Sequence, residues 1–250
     1  MSKKSLQVVT LGCSKNQVDT QHLLAQVRDD YEIVPEREEQ NVDILLLNTC
    51  GFIGDAKEES IQAILEAVER KKAGKIGKIL VFGCLSQRYI ADMPDLIPEV
   101  DGWYGARDIE PVVKALGCQM KHDRRNERLI SGKKFPYAYL KISEGCDRFC
   151  AFCAIPYIRG RYHSRPADEI VSEVSALMER GVREVVLIGQ DTGIWGSDFD
   201  DDETLAKLLV RVAEVVRPYN GWVRVLYLQP EGITDELLDV IARNDNICSY

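Results

Sequence analysis

The sequence predicts an α/β protein with two successive runs of alternating strands and helices, the first forming a parallel-sheet domain and the second a barrel-like array. Three observations carry this. Apolar runs rich in β-branched residues alternate with helix-period segments from Leu6 to Leu116. The runs Val42–Leu47 and Lys78–Phe82 are almost unbroken, as strands buried on both faces must be. A new alternation then begins at Phe135, after a polar stretch that breaks the first.

Leu6–Leu11 reads as the first strand, and Gln17–Arg28 as a helix with Val18, Leu23, Leu24 and Val27 on its apolar positions. Val42–Leu47 is the next strand. Asp55–Lys72 is a helix that Asp55 can cap, with Ile61, Ile64, Leu65 and Val68 on one face. Lys78–Phe82 is a strand, and Asp108–Leu116 a short helix stopped by Gly117. Residues 119–134 are rich in Arg, Lys, Asp and Asn and read as a linker with a local hairpin. The second unit offers strands at Tyr137–Ile142, Glu184–Ile188 and Val223–Leu228, and helices at Ala167–Arg180, Glu203–Val216 and Asp235–Arg243. The segment Ile247–Tyr250 reads as the start of a further strand. The expected domains are therefore 1–118, a linker at 119–134, and 135–250.

The chain has 250 residues, 45% apolar, which is ample for a core. A net charge of −8 argues against extensive nucleic-acid binding. No stretch reaches the ~18–20 apolar residues that cross a bilayer, and no signal-peptide pattern opens the chain. The expected location is the cytoplasm. Eight cysteines in that reducing compartment point to metal-bound or catalytic thiols rather than disulfides.

The strongest motif is Cys146-Asp-Arg-Phe-Cys150-Ala-Phe-Cys153, a C-x3-C-x2-C loop directly after a strand. Three thiolates at this spacing suit one face of a 4Fe–4S cluster and leave one iron open. An open iron can chelate the amino and carboxylate groups of S-adenosylmethionine (SAM), whose sulfonium is then cleaved by one electron to give a 5′-deoxyadenosyl radical. The competing reading, a structural zinc loop, needs a fourth ligand, and the nearest candidate, His163, lies ten residues beyond.

The second signal is positional. Cys13, Cys50 and Cys84 each follow a strand and each is preceded by Gly or Thr. Carboxyl ends of parallel strands share one edge, where ligand sites form, so three such thiols can converge on a second 4Fe–4S cluster. The alternative is three ordinary core cysteines. Cys118 reads as a plain thiol and Cys248 as core.

Weaker candidates surround the motif. Phe152 can pack near adenine or simply fill space. Glu144, two residues before Cys146, can orient the loop. Gln190, in Ile188-Gly189-Gln190-Asp191-Thr192, ends a strand at the expected barrel mouth or belongs to a capping turn. Arg159 and Arg165 can bind a carboxylate bidentately or serve as structural ion pairs. Lys15 and Asn16 can cap the helix after Cys13.

Several strings together resemble the radical SAM methylthiotransferase family. They are Leu11-Gly12-Cys13-Ser14-Lys15-Asn16, Asn48-Thr49-Cys50-Gly51-Phe52-Ile53, Gly83 to Tyr89, Ser143 to Pro156, Arg159-Gly160 and Ser164-Arg165-Pro166. The resemblance implies an N-terminal α/β domain with an auxiliary cluster on Cys13, Cys50 and Cys84, followed by a radical SAM (β/α) partial barrel, here incomplete, with its cluster on Cys146, Cys150 and Cys153. It implies SAM as both methyl donor and radical source, with the auxiliary cluster carrying the sulfur. Ser14-Lys15-Asn16, Phe52-Ile53 and Gln190-Asp191-Thr192 are similar to the branch that methylthiolates an aspartate β-carbon of a small-subunit ribosomal protein. The transfer-RNA adenosine branch tends to show Gln-Met-Asn and Gln-Asn-Val at the corresponding places. Leu228-Gln229-Pro230 departs from the more usual aromatic before that proline. A third reading is a non-catalytic Fe–S electron-transfer protein.

The expected partners are the ribosomal protein and an electron donor such as flavodoxin. Family members continue through the rest of the barrel into a small β-barrel, the TRAM domain. The expectation is thus an N-terminal part that catalyses poorly alone.

Overall fold

The computed structural model describes residues 3–36, 40–124, 126–130 and 136–250. Two compact units divide the chain: Met1–Ser131 with Tyr157–Arg159, and Gly132–Pro156 with Gly160–Tyr250.

The first unit holds a five-stranded sheet in the order β2-β1-β3-β4-β5, all parallel. The strands are β1 (Lys4–Thr10), β2 (Tyr31–Val34), β3 (Val42–Thr49), β4 (Ile76–Gly83) and β5 (Gly102–Trp103). Alternation explains why β3 and β4 are apolar throughout. Leu45, Leu47, Ile79 and Val81 enter one core with Ile64 and Val68, which lie on α2 (Gly54–Lys72). Ile44, Leu46, Leu80 and Phe82 enter the opposite core with Leu23, Leu24 and Val27, which lie on α1 (Ser14–Val27). Both faces are covered along residues 44–47 and 79–82, which is why these stretches carry no charge. Among the described residues the unit also holds the short helices α3 (Cys84–Tyr89), α4 (Met93–Leu96) and α5 (Glu110–Ala115) and a 3-10 turn at His122–Arg124.

A clamp fixes the register of β1 against β3. The Ser5 amide and hydroxyl both donate to Asp43 Oδ2 (2.8 Å each), and the Asp43 amide donates to Ser5 Oγ (2.8 Å). These bonds hold the Asp43 carboxyl below its ordinary range.

The strand order reverses between β1 and β3: the chain leaves β1 for the edge strand β2 and returns to β3 on the other side. In open parallel sheets the crevice outside such a switch point is where ligands bind. Cys13 and Cys50 follow the two strands that flank it.

Residues 119–130, read from sequence as linker, group with the first unit. Leu129 packs on its core, and Leu129 N donates to Gln21 O (3.0 Å). Basic side chains of this segment find partners around the end of α1: Arg124 pairs with Asp29 (2.6 Å) and Lys121 with Asp29 and Asp30 (3.2 and 3.1 Å). The expected hairpin and the start at Phe135 fall partly on residues 131–135, outside the described residues.

The second unit has a three-stranded parallel sheet in the order β10-β9-β6, from β6 (Tyr137–Lys141), β9 (Glu184–Ile188) and β10 (Trp222–Val225). Helices α7 (Ala167–Glu179), α8 (Leu205–Val216) and α9 (Asp235–Arg243) follow these strands. Leu208, Leu209, Val212 and Val216 are buried on α8, and Thr204 caps it by accepting from Lys207 N (3.2 Å). A two-stranded antiparallel pair, β7 (Ser143–Glu144) with β8 (His163–Ser164), closes the loop that contains the C-x3-C-x2-C motif. That loop also contains α6 (Ile155–Arg159). The expected strand at Ile247–Tyr250 reduces to one parallel bridge, Val223 with Ile247. No closed barrel forms among the described residues. No helix among them is long and apolar enough to cross a membrane.

Candidate functional site

Cys13, Cys50 and Cys84 stand just past the carboxyl ends of β1, β3 and β4. Cys13 is exposed, whereas Cys50 and Cys84 are buried. A polar lattice joins the three strand ends. Asn16 Nδ2 donates to Leu11 O (2.9 Å) and Thr49 O (3.2 Å), and Asn48 Nδ2 donates to Asn16 O (2.8 Å). Thr49 Oγ1 donates to Phe82 O (2.7 Å), linking the ends of β3 and β4. These bonds also explain why α1 starts at Ser14 rather than Gln17. Asn16 sits in the first turn and ties the helix back to the strands it follows.

The close packing is visible at Gly12. Its φ is +85°, and a Cβ there would stand 2.5 Å from Cys50 Cβ and 2.9 Å from Cys50 Sγ. Only glycine fits. Cys50 N donates to Ser60 Oγ (3.0 Å), and Arg88 Nη1 donates to Gly51 O (2.9 Å). Burial pushes the Cys50 thiol up, opposed chiefly by the Phe52 amide. Burial pushes Cys84 up to about 11, opposed by the charge and hydrogen bond of Arg159.

Arg159 reaches this site from α6. Its Nε donates to Cys84 Sγ (3.2 Å), its Nη1 to Asp19 Oδ2 (2.7 Å) and its Nη2 to Asn16 Oδ1 (2.5 Å). From sequence, Arg159 is a candidate for SAM; here its guanidinium is engaged with Cys84, Asp19 and Asn16, within the first unit. Sequence reasoning missed Asp19 altogether, because an Asp one turn inside a helix carries no signal of its own.

In the second unit, Cys150 is exposed, and Cys146 and Cys153 are half-buried. The loop is held by its backbone: Cys146 N donates to Gly160 O (3.1 Å) and Cys153 N to Cys150 O (2.9 Å). Gly145, at φ +77°, brings the chain so close to Arg161 that a Cβ would lie 2.0 Å from Arg161 O. Arg148 Nε pairs with the buried Asp191 (2.8 Å), and Asp147 Oδ1 accepts from Tyr162 N (3.1 Å). Phe149 takes a left-handed φ of 45°, with the Arg161 guanidinium 4.6 Å above its ring. Burial raises the Cys146 thiol, and the Arg148 amide opposes it.

Glu144 bridges two other groups beside the loop: Oε1 accepts from Gln190 Nε2 (2.5 Å) and Oε2 from Lys141 Nζ (2.7 Å). Phe152 is 91% exposed and packs little surface. Arg165 pairs with the buried Glu173 (2.9 Å) and donates to Lys141 O (2.7 Å), so it follows the structural reading. Cys118 and Cys248 are half-buried and stand outside both groups.

The donor chemistry suits soft metals: six thiols in two sets of three. Buried polar atoms without a partner lie beside both sets, Ser14 Oγ and Ser86 Oγ in the first and Gln190 Oε1 in the second. Among the described residues, no group of three or more His, Cys, Asp or Glu is gathered tightly enough for one metal ion. A single zinc with Zn–S of about 2.3 Å requires its thiolates nearly in contact. A cluster that takes one thiolate on each of three irons spreads them apart, and wider placement is compatible with it.

The paired parallel α/β units and the C-x3-C-x2-C loop define a radical SAM type of protein. Residues 140–248 match the radical SAM superfamily, and residues 5–105 match the family described as "Uncharacterized protein family UPF0004". Residues 140–248 thus carry a radical SAM domain, and the chain as a whole is similar to RimO methylthiotransferases. It is 42% identical over its whole length to the ribosomal protein uS12 methylthiotransferase RimO of Bacteroides fragilis, covering 57% of that protein. It is 44% identical over 248 residues to the RimO of Chloroherpeton thalassium, covering 56% of it. The chain thus spans a little over half the length of these relatives.

The fold also resembles the solved structure of the radical S-adenosylmethionine methyltransferase TsrM from Kitasatospora setae, with a TM-score of 0.65 and 12% identity over 96% of this chain and 57% of that one. The cobalamin-dependent radical enzyme OxsB gives a TM-score of 0.55 at 12% identity, over 96% of this chain and 42% of that one.

Proposed function

We propose that this chain belongs to an enzyme that methylthiolates the β-carbon of an aspartate in a small-subunit ribosomal protein, using SAM as methyl donor and radical source. The observation that carries this reading is similarity at 42–44% identity, along this chain and over 56–57% of the relatives' length, to uS12 methylthiotransferases of two separate genera. Neither the transfer-RNA reading nor the electron-transfer reading has a comparable observation in its favour.

In this reading Cys146, Cys150 and Cys153 hold a 4Fe–4S cluster and Cys13, Cys50 and Cys84 an auxiliary one. When bound, the cluster on Cys146, Cys150 and Cys153 and SAM would supply one-electron cleavage of the sulfonium and a 5′-deoxyadenosyl radical. The chain's own residues do the positioning. Gly145, Asp147 and the Cys146–Gly160 hydrogen bond shape the thiolate loop. Glu144, held by Lys141 and Gln190, sets a carboxylate beside it, where the amino group of SAM can be received. Phe152, exposed on the loop, is free to cover adenine. Arg159 is assigned to the first site rather than to SAM, on the strength of its bond to Cys84. The electron donor is a low-potential carrier such as flavodoxin, and the work is done in the cytoplasm, where ribosomes are assembled.

The test is mass spectrometry of ribosomal protein and transfer RNA from cells lacking the gene. Loss of a methylthio group from an aspartate of the small-subunit protein, with transfer RNA unchanged, supports the reading. Loss from transfer-RNA adenosine alone overturns it.

A further inference from the structure

A buried arginine beside a metal-binding thiol is costly unless its charge has work to do. Arg159 has 2% of its side chain exposed, and its guanidinium pairs with the Asp19 carboxylate at 2.7 Å. The geometry of the fork is specific. Nη1 donates to Asp19 Oδ2 and, at 3.5 Å, to Ala106 O, Nη2 donates to Asn16 Oδ1, and Nε is directed at Cys84 Sγ, 3.2 Å away. Asp19 and Asn16 are themselves one helical turn apart on α1, which starts directly after Cys13. The arginine is therefore braced by the helix that follows one thiol of the set while it donates to another.

We propose that Arg159 is a positioning residue of the Cys13–Cys50–Cys84 site: it fixes the Cys84 sulfur and offsets negative charge there, with Asp19 and Asn16 as its braces. The inference rests on the reading of that site as an iron–sulfur centre. Its physical basis is the general one for such centres: hydrogen bonds to ligand sulfurs and nearby positive charge stabilise the more reduced, more negative form and raise the reduction potential. Lysine cannot reproduce the arrangement, because an ammonium on a flexible stem lacks the planar fork that serves three partners at once.

The experiment uses the full chain with Cys146, Cys150 and Cys153 replaced by Ala, so that only the first site can load. Iron content and the midpoint potential, from an EPR-monitored redox titration, are compared between this parent and the same protein carrying Arg159→Gln, Arg159→Lys or Asp19→Asn. Arg159→Gln is expected to lower the ratio of reduced to oxidised centre at a fixed potential about tenfold, equivalent to about 59 mV for one electron. Arg159→Lys should give a partial shift, and Asp19→Asn a smaller one of either sign from loosened bracing. Loss of iron from Arg159→Gln in a protein that keeps its circular dichroism also supports the inference, since an unfixed Cys84 fails to hold its iron. If Arg159→Gln does not fold, Arg159→Lys decides. Full iron and an unshifted potential in the folded variants overturn the inference. A parent that binds no iron overturns the iron–sulfur reading itself, a separate outcome.

Discussion

Gly12 lies against Cys50 so closely that any side chain on Gly12 would meet the Cys50 sulfur, with a Cβ placed 2.9 Å from it. Gly12→Ala adds this collision to a left-handed φ, for which strain alone costs about 1–3 kcal/mol. The variant is expected to melt lower and to lose iron from the first site while retaining it at Cys146, Cys150 and Cys153. Thermal unfolding and iron analysis check this. Equal loss from both sites would show that Gly12 acts on the whole fold and not on Cys50.

Arg165 and Glu173 form an ion pair at 2.9 Å with the carboxylate buried. Arg165 also holds the end of β6 through Lys141 O. Removing one partner strands the other, and such deletions typically cost about 3–5 kcal/mol. Glu173→Ala should therefore lower the denaturation midpoint in urea strongly, and an unchanged midpoint would contradict the pairing.

Glu144 and Gln190 share a hydrogen bond at 2.5 Å. If they act together on SAM, their effects will not add. Glu144→Ala and Gln190→Ala each should weaken SAM binding to the cluster-loaded protein. The double variant should fall short of the sum by about 0.5–3 kcal/mol, the range of directly coupled residues. Calorimetric titration with SAM measures all three. Strict additivity would argue that only one of them faces the cofactor.

The Asp43 carboxyl is held low by the Ser5 amide and hydroxyl. Its folded value lies below its unfolded one, about 3.9. The clamp therefore contributes stability that is fully present above the unfolded value and is lost as pH falls through the folded one. Asp43→Asn should flatten the acid limb of the stability curve and leave it parallel to the parent near neutrality. Denaturant midpoints between pH 2 and 7 test this, and an identical acid limb would dismiss the clamp.

Much of this was legible in the sequence for a plain reason. Val42–Leu47 and Glu184–Ile188 are apolar runs too short for buried helices and bounded by turn residues, so they read as strands, and the structure extends β3 only to Thr49. The short edge strand Tyr31–Val34 was not legible, since four residues with one exposed side carry no period. Nor was β5, two residues long beside β4. The order β2-β1-β3 is set by pairing between distant segments, so the switch point beside Cys13 and Cys50 became visible only in the fold. The cysteines announced themselves by spacing and position. Their polar surroundings did not: Asn48, Ser60 and Asp19 are common residues whose roles come from partners 10–140 positions away. The sequence offers Arg159 either to a cofactor carboxylate or to a structural ion pair, and in the fold it pairs with Asp19. Which carboxylate it meets depends on tertiary packing that no local pattern encodes.

Two sets of three thiols are expected to bind iron independently. Anaerobic reconstitution followed by iron and sulfide analysis of three proteins tests it most directly: the parent, the Cys13/Cys50/Cys84→Ala variant and the Cys146/Cys150/Cys153→Ala variant. The expected content is about eight irons in the parent and about four in each variant, as two four-iron clusters require. Zinc in place of iron, or a parent that holds only about four irons lost entirely in one variant and kept entirely in the other, would contradict it.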